Sequence, residues 1–344
     1  MKFKFEPRLE SMRGIAALIV AAHHGMIAFN GHSSVLEWFM WPTNPGSAVF
    51  FFFVLSGYVL GRALERDSRP FAYLVQRIFR IAPMLIASVL LAFSCLTLVK
   101  PDDQLSVAFR AFFVQPSMRD VADNILLQSY LVNGPSWSLY PEVIGSMLLA
   151  ALVPLHCAIR PRCQWPTFVT VFIVLSTFNR LHLGLWFYAG FFLPHRIAPL
   201  LARHVMARWA CFAVGFILLR YLGGGELYKF KIVAPSAIAG VMMIAPVIAS
   251  ETFLTSLNAR PLRFLGLISY SFYLLHWPMF YLTATTASAF GAANTLGNIV
   301  VCMTSILATI CAAAASYYIV EAPMMKIGRA IIGKASAGNG TGRL

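Results

Sequence analysis

The chain has 344 residues, of which 59% are hydrophobic and 12% are charged. Soluble domains carry roughly 45–50% apolar and about 25% charged residues, so this composition excludes the soluble domains that the length alone would permit. The formal net charge is +14, and the basic residues lie between the hydrophobic segments. That pattern is typical of cytoplasmic loops facing anionic lipid and argues against nucleic-acid binding.

Hydrophobic segments of about 20 residues, the length of one membrane crossing, follow one another along the chain. They predict an all-α fold, a polytopic membrane helix bundle of about ten transmembrane helices. The predicted spans are residues 10–29, 46–64, 79–99, 137–157, 165–179, 183–201, 207–222, 232–250, 263–286 and 295–320. The fifth, sixth and seventh spans are short or closely spaced, so the predicted number of helices has a tolerance of about one.

Basic residues are concentrated before the first span and after the even-numbered spans. Arg8 precedes span one, Arg66 follows span two, Arg162 follows span four and Arg263 follows span eight. Lysine and arginine accumulate in cytoplasmic loops of membrane proteins. Both chain termini are therefore predicted to lie in the cytoplasm.

The first span contains two ionisable residues, Arg13 and His24, eleven positions apart. On an α-helix they fall about 20° from eclipsed and about 16 Å apart along one face. Ionisable residues at membrane depth are costly and by default face a protein interior or a water-filled path. An imidazole can carry a proton near neutral pH, whereas a guanidinium keeps its charge. A packing histidine is the common alternative, but the face shared with Arg13 favours a chemical role for His24.

A basic pair, Arg77 and Arg80, lies at the cytoplasmic entry of the third span. Residues three apart are neighbours on one helix face. The pair has two interpretations: anchoring at the cytoplasmic surface, and binding of phosphates, which arginine holds with two parallel hydrogen bonds. The residue pattern favours neither over the other.

The longest connection, residues 100–136, precedes the fourth span and is predicted to face the outside. Its apolar stretches at 107–109 and 125–127 indicate a lid or re-entrant segment, because loops of this length are usually functional or disordered. Glu142 then opens span four, with no basic residue within one helical turn. A carboxylate at membrane depth indicates a functional site. An interhelical bond to an arginine is the structural alternative.

Span nine carries a polar stripe formed by Ser269, Tyr273 and His276. Their i, i+4, i+7 spacing places the three side chains on one helix face. Hydrogen bonding between helices and contact with a substrate are equally good interpretations of this stripe.

The rest of the chain indicates neither a metal site nor a second domain. Its six cysteines show no CxxC or Cys/His spacing, so they are interpreted as free thiols and no metal is expected. The last residues are rich in glycine, alanine and serine, a composition typical of disordered linkers. We therefore predict one membrane domain over residues 1–325 and a basic, disordered cytoplasmic tail over residues 326–344.

Taken together, these motifs resemble the integral-membrane acyltransferase 3 family, whose members O-acylate bacterial glycans and related acceptors. The matching strings are Ser11–Ala17 with His24, Phe51–Tyr58, Arg77–Pro83, Trp137–Glu142 and Ser269–His276. They occur in the family's order and cover roughly residues 8–325. Arg13 and His24 have the family's Arg-x10-His spacing, which favours His24 over His23. His23 points about 100° away and is interpreted as an orienting or interfacial neighbour.

The resemblance implies a multi-pass enzyme of the bacterial inner membrane. It would transfer an acyl group, acetyl being favoured, from acyl-CoA to a hydroxyl of a cell-envelope glycan or lipid-linked saccharide. His24 would be the general base, assisted by Arg13 and Glu142. The phosphates of acyl-CoA would bind Arg77 and Arg80, and the substrate would contact Trp137, Tyr273 and His276. Direct transfer and a covalent acyl-histidine are both compatible with these residues, as is an acceptor on either membrane face.

Two other functions would also place an arginine, a histidine and a glutamate inside a helix bundle. A proton-coupled secondary transporter using His24, Arg13 and Glu142 predicts inverted repeats and matching broken helices, and the sequence has neither. A non-catalytic scaffold or sensor predicts that His24 and Glu142 can be replaced without loss of function. Transfer or hydrolysis of labelled acetyl-CoA distinguishes the transferase from both.

Overall fold

The computed structural model describes residues 6–29, 40–98, 107–178, 180–224, 230–284 and 295–338. Over these residues the chain forms helices joined by turns, and it contains no strand. The beginning of the predicted connection 100–136 and the last six residues of the predicted tail lie outside the described residues.

Long helices occupy the positions of the predicted spans. The α-helices are α1 (Pro7–Ala28), α2 (Pro45–Arg66), α3 (Pro70–Leu98), α4 (Val107–Arg110), α5 (Met118–Ile125), α6 (Leu139–Ala158), α7 (Pro161–Thr177), α8 (Leu185–Phe192), α9 (Pro194–Leu201), α10 (Val205–Leu222), α11 (Phe230–Ala249), α12 (Arg260–Ala284), α13 (Thr295–Ser316) and α14 (Ala322–Gly338). Short 3-10 turns cover Gly134–Ser138, Leu181–Gly184 and Thr255–Asn258, and a π-helical turn covers Tyr317–Glu321.

Seven helices of the described chain are long and apolar enough to cross a membrane. They are Pro7–Ala28, Pro45–Arg66, Pro70–Leu98, Gly134–Ala158, Val205–Leu222, Lys231–Ala249 and Leu296–Gly333. The prediction of about ten exceeds this number because α7 has 17 residues and predicted span six is divided between α8 and α9. The ninth predicted span, α12, has the length but carries polar aromatic side chains and His276. The all-α, polytopic architecture is confirmed.

Contacts divide the chain into two compact units. The first unit comprises Met1–Val20, Pro42–Phe71 and Ser138–Leu267, and the second comprises Ala21–Trp41, Ala72–Trp137 and Ile268–Leu344. Helices α1, α3 and α12 each contribute residues to both units.

In the first unit, α2 and α8 pack through glycines on both helices. A Cβ atom at Gly57 would collide with the backbone of Phe187, and one at Gly190 would collide with the backbone carbonyl of Val54. Small residues permit this close approach of helix backbones, a common solution in membranes, where there is no hydrophobic drive between helices. The Ser56–Tyr58 segment therefore serves packing in this unit.

Replacing Gly190 by valine should destabilise the first unit by at least the roughly 1–3 kcal/mol typical of overpacking. The obstacle is backbone rather than a flexible side chain, so the helices must separate. Thermal unfolding of the detergent-solubilised protein measures the loss. The control is Gly333→Ala, because a Cβ at Gly333 meets nothing within 4 Å and alanine is the better helix former there. A Gly190→Val variant as stable as the wild type would contradict the close approach.

Arg8 secures the start of α1 within the same unit. Its side chain is 2% exposed, and its guanidinium donates to the carbonyls of Val247 (2.9 Å) and Ser250 (2.7 Å) at the end of α11. A second contact is the ion pair with Glu6 at 2.7 Å. An arginine at the carbonyl end of a helix satisfies its unpaired acceptors and its dipole. Arg8, which indicates the cytoplasmic side in the sequence, therefore also connects the start of α1 to the end of α11.

The second unit ends in a helix where the sequence predicted disorder. α14 continues to Gly338, so residues 326–338 of the predicted tail are helical. Apolar residues recur with helical spacing in this segment, and Ile332 is buried while Ile331 and Gly333 are exposed. This amphipathic pattern offsets the glycine and serine that dominate the last positions.

The described part of the long connection is anchored within the second unit. Phe109 of α4 is fully buried. The buried Asn133 side chain donates to the hydroxyl of Ser88 and to the carbonyl of Leu274, both at 3.1 Å. Asn124 of α5 in turn accepts from the Asn133 backbone at 2.9 Å. These bonds hold the connection against α3 and α12.

Candidate active site

The predicted site residues fall into both units. Arg13 and Glu142 belong to the first unit; His24, Arg77, Arg80, Trp137, Tyr273 and His276 belong to the second.

In the second unit the structure brings His24 and His276 into direct contact. Nδ1 of His24 lies 2.9 Å from Nε2 of His276. The ring planes are within 18° of parallel and the centroids are 5.2 Å apart. Nearly parallel planes combined with a short nitrogen–nitrogen distance describe a hydrogen bond in the plane of the rings. His276 is fully buried, whereas His24 is partly exposed.

Trp277 fixes the other side of the His24 ring. The two rings meet edge to face with centroids 5.2 Å apart. The Trp277 indole donates to the hydroxyl of Tyr281 at 2.8 Å and packs against Phe109 of α4 at 5.4 Å. The orientation of His24 is therefore set by α12 and by the anchored connection. Sequence analysis did not identify Trp277, although it adjoins His276 in the matched string.

Tyr273 and Trp137, two of the predicted substrate ligands, differ in accessibility. Tyr273 is buried, and its hydroxyl donates to the carbonyl of Pro135 at 3.2 Å. Its own carbonyl accepts a hydrogen bond from Nδ1 of His276 at 2.6 Å. Trp137 is half-buried at the end of the 3-10 turn Gly134–Ser138. Of the two, Trp137 presents more surface.

Arg80 forms an ion pair that the sequence did not predict. Its guanidinium lies 2.6 Å from the carboxylate of Glu321, which is 1% exposed. The other carboxylate oxygen accepts from the hydroxyl of Ser271 at 2.6 Å. Arg80 also lies over the ring of Tyr270, at 5.6 Å from its centroid. Arg77, three residues earlier on α3, is half-buried.

The signal that could have revealed this pair is Glu321 itself. It follows a long apolar segment and stands two residues before Pro323, which is typical of a residue at a helix end. A carboxylate at the end of an apolar helix requires a cation from another helix. Arg77 and Arg80 on α3 are two candidates for that cation.

In the first unit, Arg13 lies between α1 and α12. Its guanidinium donates to the carbonyl of Gly266 at 2.8 Å and lies 3.7 Å from the carboxylate of Glu10. The side chain is 29% exposed. Gly14 and Gly266 permit this approach, since a Cβ on either would collide with the opposite backbone.

Glu142 lies in the first turn of α6, within the first unit. A carboxylate is favoured there because the helix dipole is positive at its N-terminus. The side chain is half-buried. Glu142 is therefore favourably placed relative to the dipole of α6.

The family comparison agrees with the motifs. No curated protein and no solved structure matches the chain at a significant level. A family model described as an acyltransferase domain matches residues 6–318. This match covers nearly the whole chain and extends over residues of both units. The chain therefore belongs to the acyltransferase 3 family and is a multi-pass membrane acyltransferase, an enzyme that transfers acyl groups other than amino-acyl groups.

Proposed function

We propose that the protein is an O-acyltransferase of the bacterial inner membrane with His24 as its general base. The acyl group, acetyl being favoured, comes from acyl-CoA, and a hydroxyl of a cell-envelope glycan or lipid-linked saccharide receives it. The observation that carries the proposal is the partly exposed imidazole of His24, hydrogen-bonded to the buried His276 in an acyltransferase chain.

The chemistry requires one proton transfer and one exchange of bonds at the acyl carbon. His24 takes the proton of the acceptor hydroxyl as its oxygen attacks the thioester carbonyl. The new C–O bond forms, the C–S bond breaks, and the departing CoA thiolate receives the proton from the imidazolium. The products are the O-acyl ester and CoA, and His24 returns to its neutral form. A histidine suits both proton transfers because its charge changes near neutral pH.

The remaining predicted residues receive roles from their chemistry. Arg13 would hold the donor or adjust the charge near the reaction centre. Glu142 would orient the acceptor. Trp137, half-buried, offers an aromatic face to a sugar ring.

Arg77 and Arg80 are the proposed ligands of the acyl-CoA phosphates. Arg80 shares its guanidinium with Glu321, and a guanidinium has five N–H donors, so one ion pair leaves donors for a phosphate. Arg77 and Arg80 lie three residues apart on one helix face, which suits a diphosphate better than a single lysine would.

Arg77→Ala should weaken acetyl-CoA binding by about 10- to 100-fold, the range expected for one lost charged hydrogen bond of roughly 1.5–3 kcal/mol. Isothermal titration calorimetry on the detergent-solubilised protein measures the dissociation constant. The control is Arg69→Ala, because Arg69 is an exposed arginine in an ion pair with Asp67. Unchanged affinity in Arg77→Ala would remove Arg77 from the donor site.

The proposed function is tested with radiolabelled acetyl-CoA and purified protein in detergent or nanodiscs. We expect label to be released or transferred to an added saccharide acceptor. An absence of turnover, together with movement of a solute along a proton gradient, would refute the transferase and favour the transporter. Mass spectrometry of the cell-envelope polysaccharide, with and without the protein, then identifies the acceptor and the acyl chain.

A further inference from the structure

We infer that His276 is a positioning residue, which fixes the tautomer of His24 and leaves Nε2 of His24 as the basic nitrogen. This inference rests on the proposed role of His24 as the base. It replaces the expectation that His276 contacts the substrate.

The first step is the bond between His276 and the backbone. Nδ1 of His276 lies 2.6 Å from the carbonyl oxygen of Tyr273. A carbonyl oxygen accepts and never donates, so Nδ1 of His276 must carry the hydrogen. This bond spans one helical turn within α12 and is independent of any substrate.

The second step concerns the charge of His276. Its side chain is 0% exposed. Among the residues that the structure describes, its hydrogen-bond partners are backbone carbonyls of the preceding turn and a second imidazole, and none of them is an anion. A buried charge without an anionic partner is strongly disfavoured. His276 is therefore neutral, and its Nε2 has a lone pair and accepts.

The third step assigns the hydrogen on His24. Since Nε2 of His276 accepts, Nδ1 of His24, at 2.9 Å, must donate. A neutral imidazole carries one N–H, so Nε2 of His24 has the lone pair. When Nε2 takes the acceptor's proton, the resulting imidazolium strengthens the bond from Nδ1 to His276. This arrangement stabilises the charged form only when it develops, which is the requirement for catalysis.

Other ionisable groups surround this pair and bear on its response to pH. Among the described residues, they are His23 on α1, Tyr273 on α12 and Cys302 on α13, with Tyr281 and Cys95 beyond Trp277. Cys302 lies against the turn of α1 that follows His24, because a Cβ at Gly25 would meet its sulfur. Histidine is the type that changes charge between about pH 5 and 8. The pH profiles are therefore also measured in a protein that carries His23→Gln, so that titration of His23 does not contribute to them.

The kinetic test compares three substitutions of His276. His276→Phe keeps ring volume but removes the acceptor, and it should lower kcat by about 10²-fold with little change in KM for acyl-CoA or acceptor. His276→Gln can place an amide oxygen near the position of Nε2 and should recover activity to within about tenfold of the wild type. His276→Asn can still donate to Tyr273 but is too short to accept from His24, and it should behave like His276→Phe. His156→Gln, the same change at another buried histidine, is the control.

A rise in KM for the acceptor with unchanged kcat in His276→Phe would restore the substrate-contact role and overturn the inference. Equal activity in the Phe and Gln variants would also overturn it, because hydrogen-bond acceptance would then be irrelevant. In the pH–rate profile, the apparent pKa of the limb that depends on His24 should shift in His276→Phe and stay at the wild-type value in His276→Gln.

A structural readout separates this inference from the proposed function. In protein labelled with ¹⁵N-histidine, the imidazole shifts of His24 should report Nδ1–H in the wild type and Nε2–H in His276→Phe. Nδ1–H in a protein without transferase activity would refute the proposed function and leave the hydrogen-bond assignment intact. Nε2–H in an active wild-type protein would refute the assignment alone.

Discussion

Replacing His24 by alanine is expected to lower acyl transfer by about 10²- to 10⁴-fold, the contribution typical of a positioned general acid–base group. The loss should appear in kcat, because the imidazole acts on the reacting hydroxyl and the donor phosphates bind elsewhere. Initial rates with labelled acetyl-CoA measure it. Residual activity above this range would place the base at another side chain.

Alanine also removes the donor to His276, which leaves a buried acceptor unpaired at a cost of about 1–3 kcal/mol. His24→Asn separates the two effects. The asparagine amide can occupy the position of Nδ1 and donate to His276, but it offers no base at Nε2. We expect a protein with wild-type unfolding temperature and the activity of His24→Ala.

His23→Ala is the matched comparison on the same helix turn. Its loss of activity should stay below about tenfold, far less than the loss from removing a general base. Equal losses for His23→Ala and His24→Ala would contradict the choice of His24. The sequence favours His24 by its Arg-x10-His spacing, and the contact with His276 is a second reason for the choice.

Arg80→Ala should destabilise the protein by about 3–5 kcal/mol, the cost of removing one partner from a buried ion pair. The reason lies in the burial of Glu321, which is 1% exposed and would keep only the Ser271 hydroxyl. Glu321→Gln should cost less, because the neutral amide needs no counter-ion and Arg80 is 22% exposed and can reach water. Thermal or denaturant unfolding in detergent measures both.

The double variant Arg80→Ala/Glu321→Gln completes the cycle. It should be more stable than Arg80→Ala alone, because the unpaired buried charge is gone. Additive losses would show that the two residues do not interact. Arg69→Ala, which breaks an exposed ion pair, should change the unfolding temperature little. Weak acyl-CoA binding by Arg80→Ala should therefore be interpreted only at temperatures where that variant is folded.

The helical architecture was predictable because hydrophobic periodicity and span length are local properties of the sequence. The segments of α1 and α2 were placed within about three residues, whereas α3 begins at Pro70, nine residues before the predicted span. The sixth predicted span is not one continuous helix, because α8 ends at Phe192 and a new helix begins at Pro194. The disorder predicted from residue 326 onward was wrong for residues 326–338, which are helical. The prediction relied on the glycine- and serine-rich composition and did not use the helical spacing of the isoleucines in α14.

The site was predictable by residue type and less so by partner. His24, Arg80 and His276 were each identified from the sequence, but their contacts join residues more than 200 positions apart. The polar stripe on α12 is compatible with interhelical bonding and with substrate contact, and the spacing alone does not reveal the 2.9 Å contact of His276 with His24. Glu321 indicates by its type and position that a cation must come from another helix, but its sequence neighbours do not identify that cation as Arg80.

The π-helical turn Tyr317–Glu321 has a consequence for insertions and deletions. A π turn holds one residue more than an α turn, so it shifts the phase of everything that follows it. Deleting one residue between Tyr317 and Glu321 would restore regular helix and rotate one side of the junction by about 100° relative to the other. Either Glu321 would leave Ser271 and Arg80, or Ile332 of α14 would leave its buried position. The extra residue of the π turn thus allows Glu321 to reach Ser271 and Arg80 while Ile332 stays buried. A change of chain length here should therefore be more harmful than most substitutions.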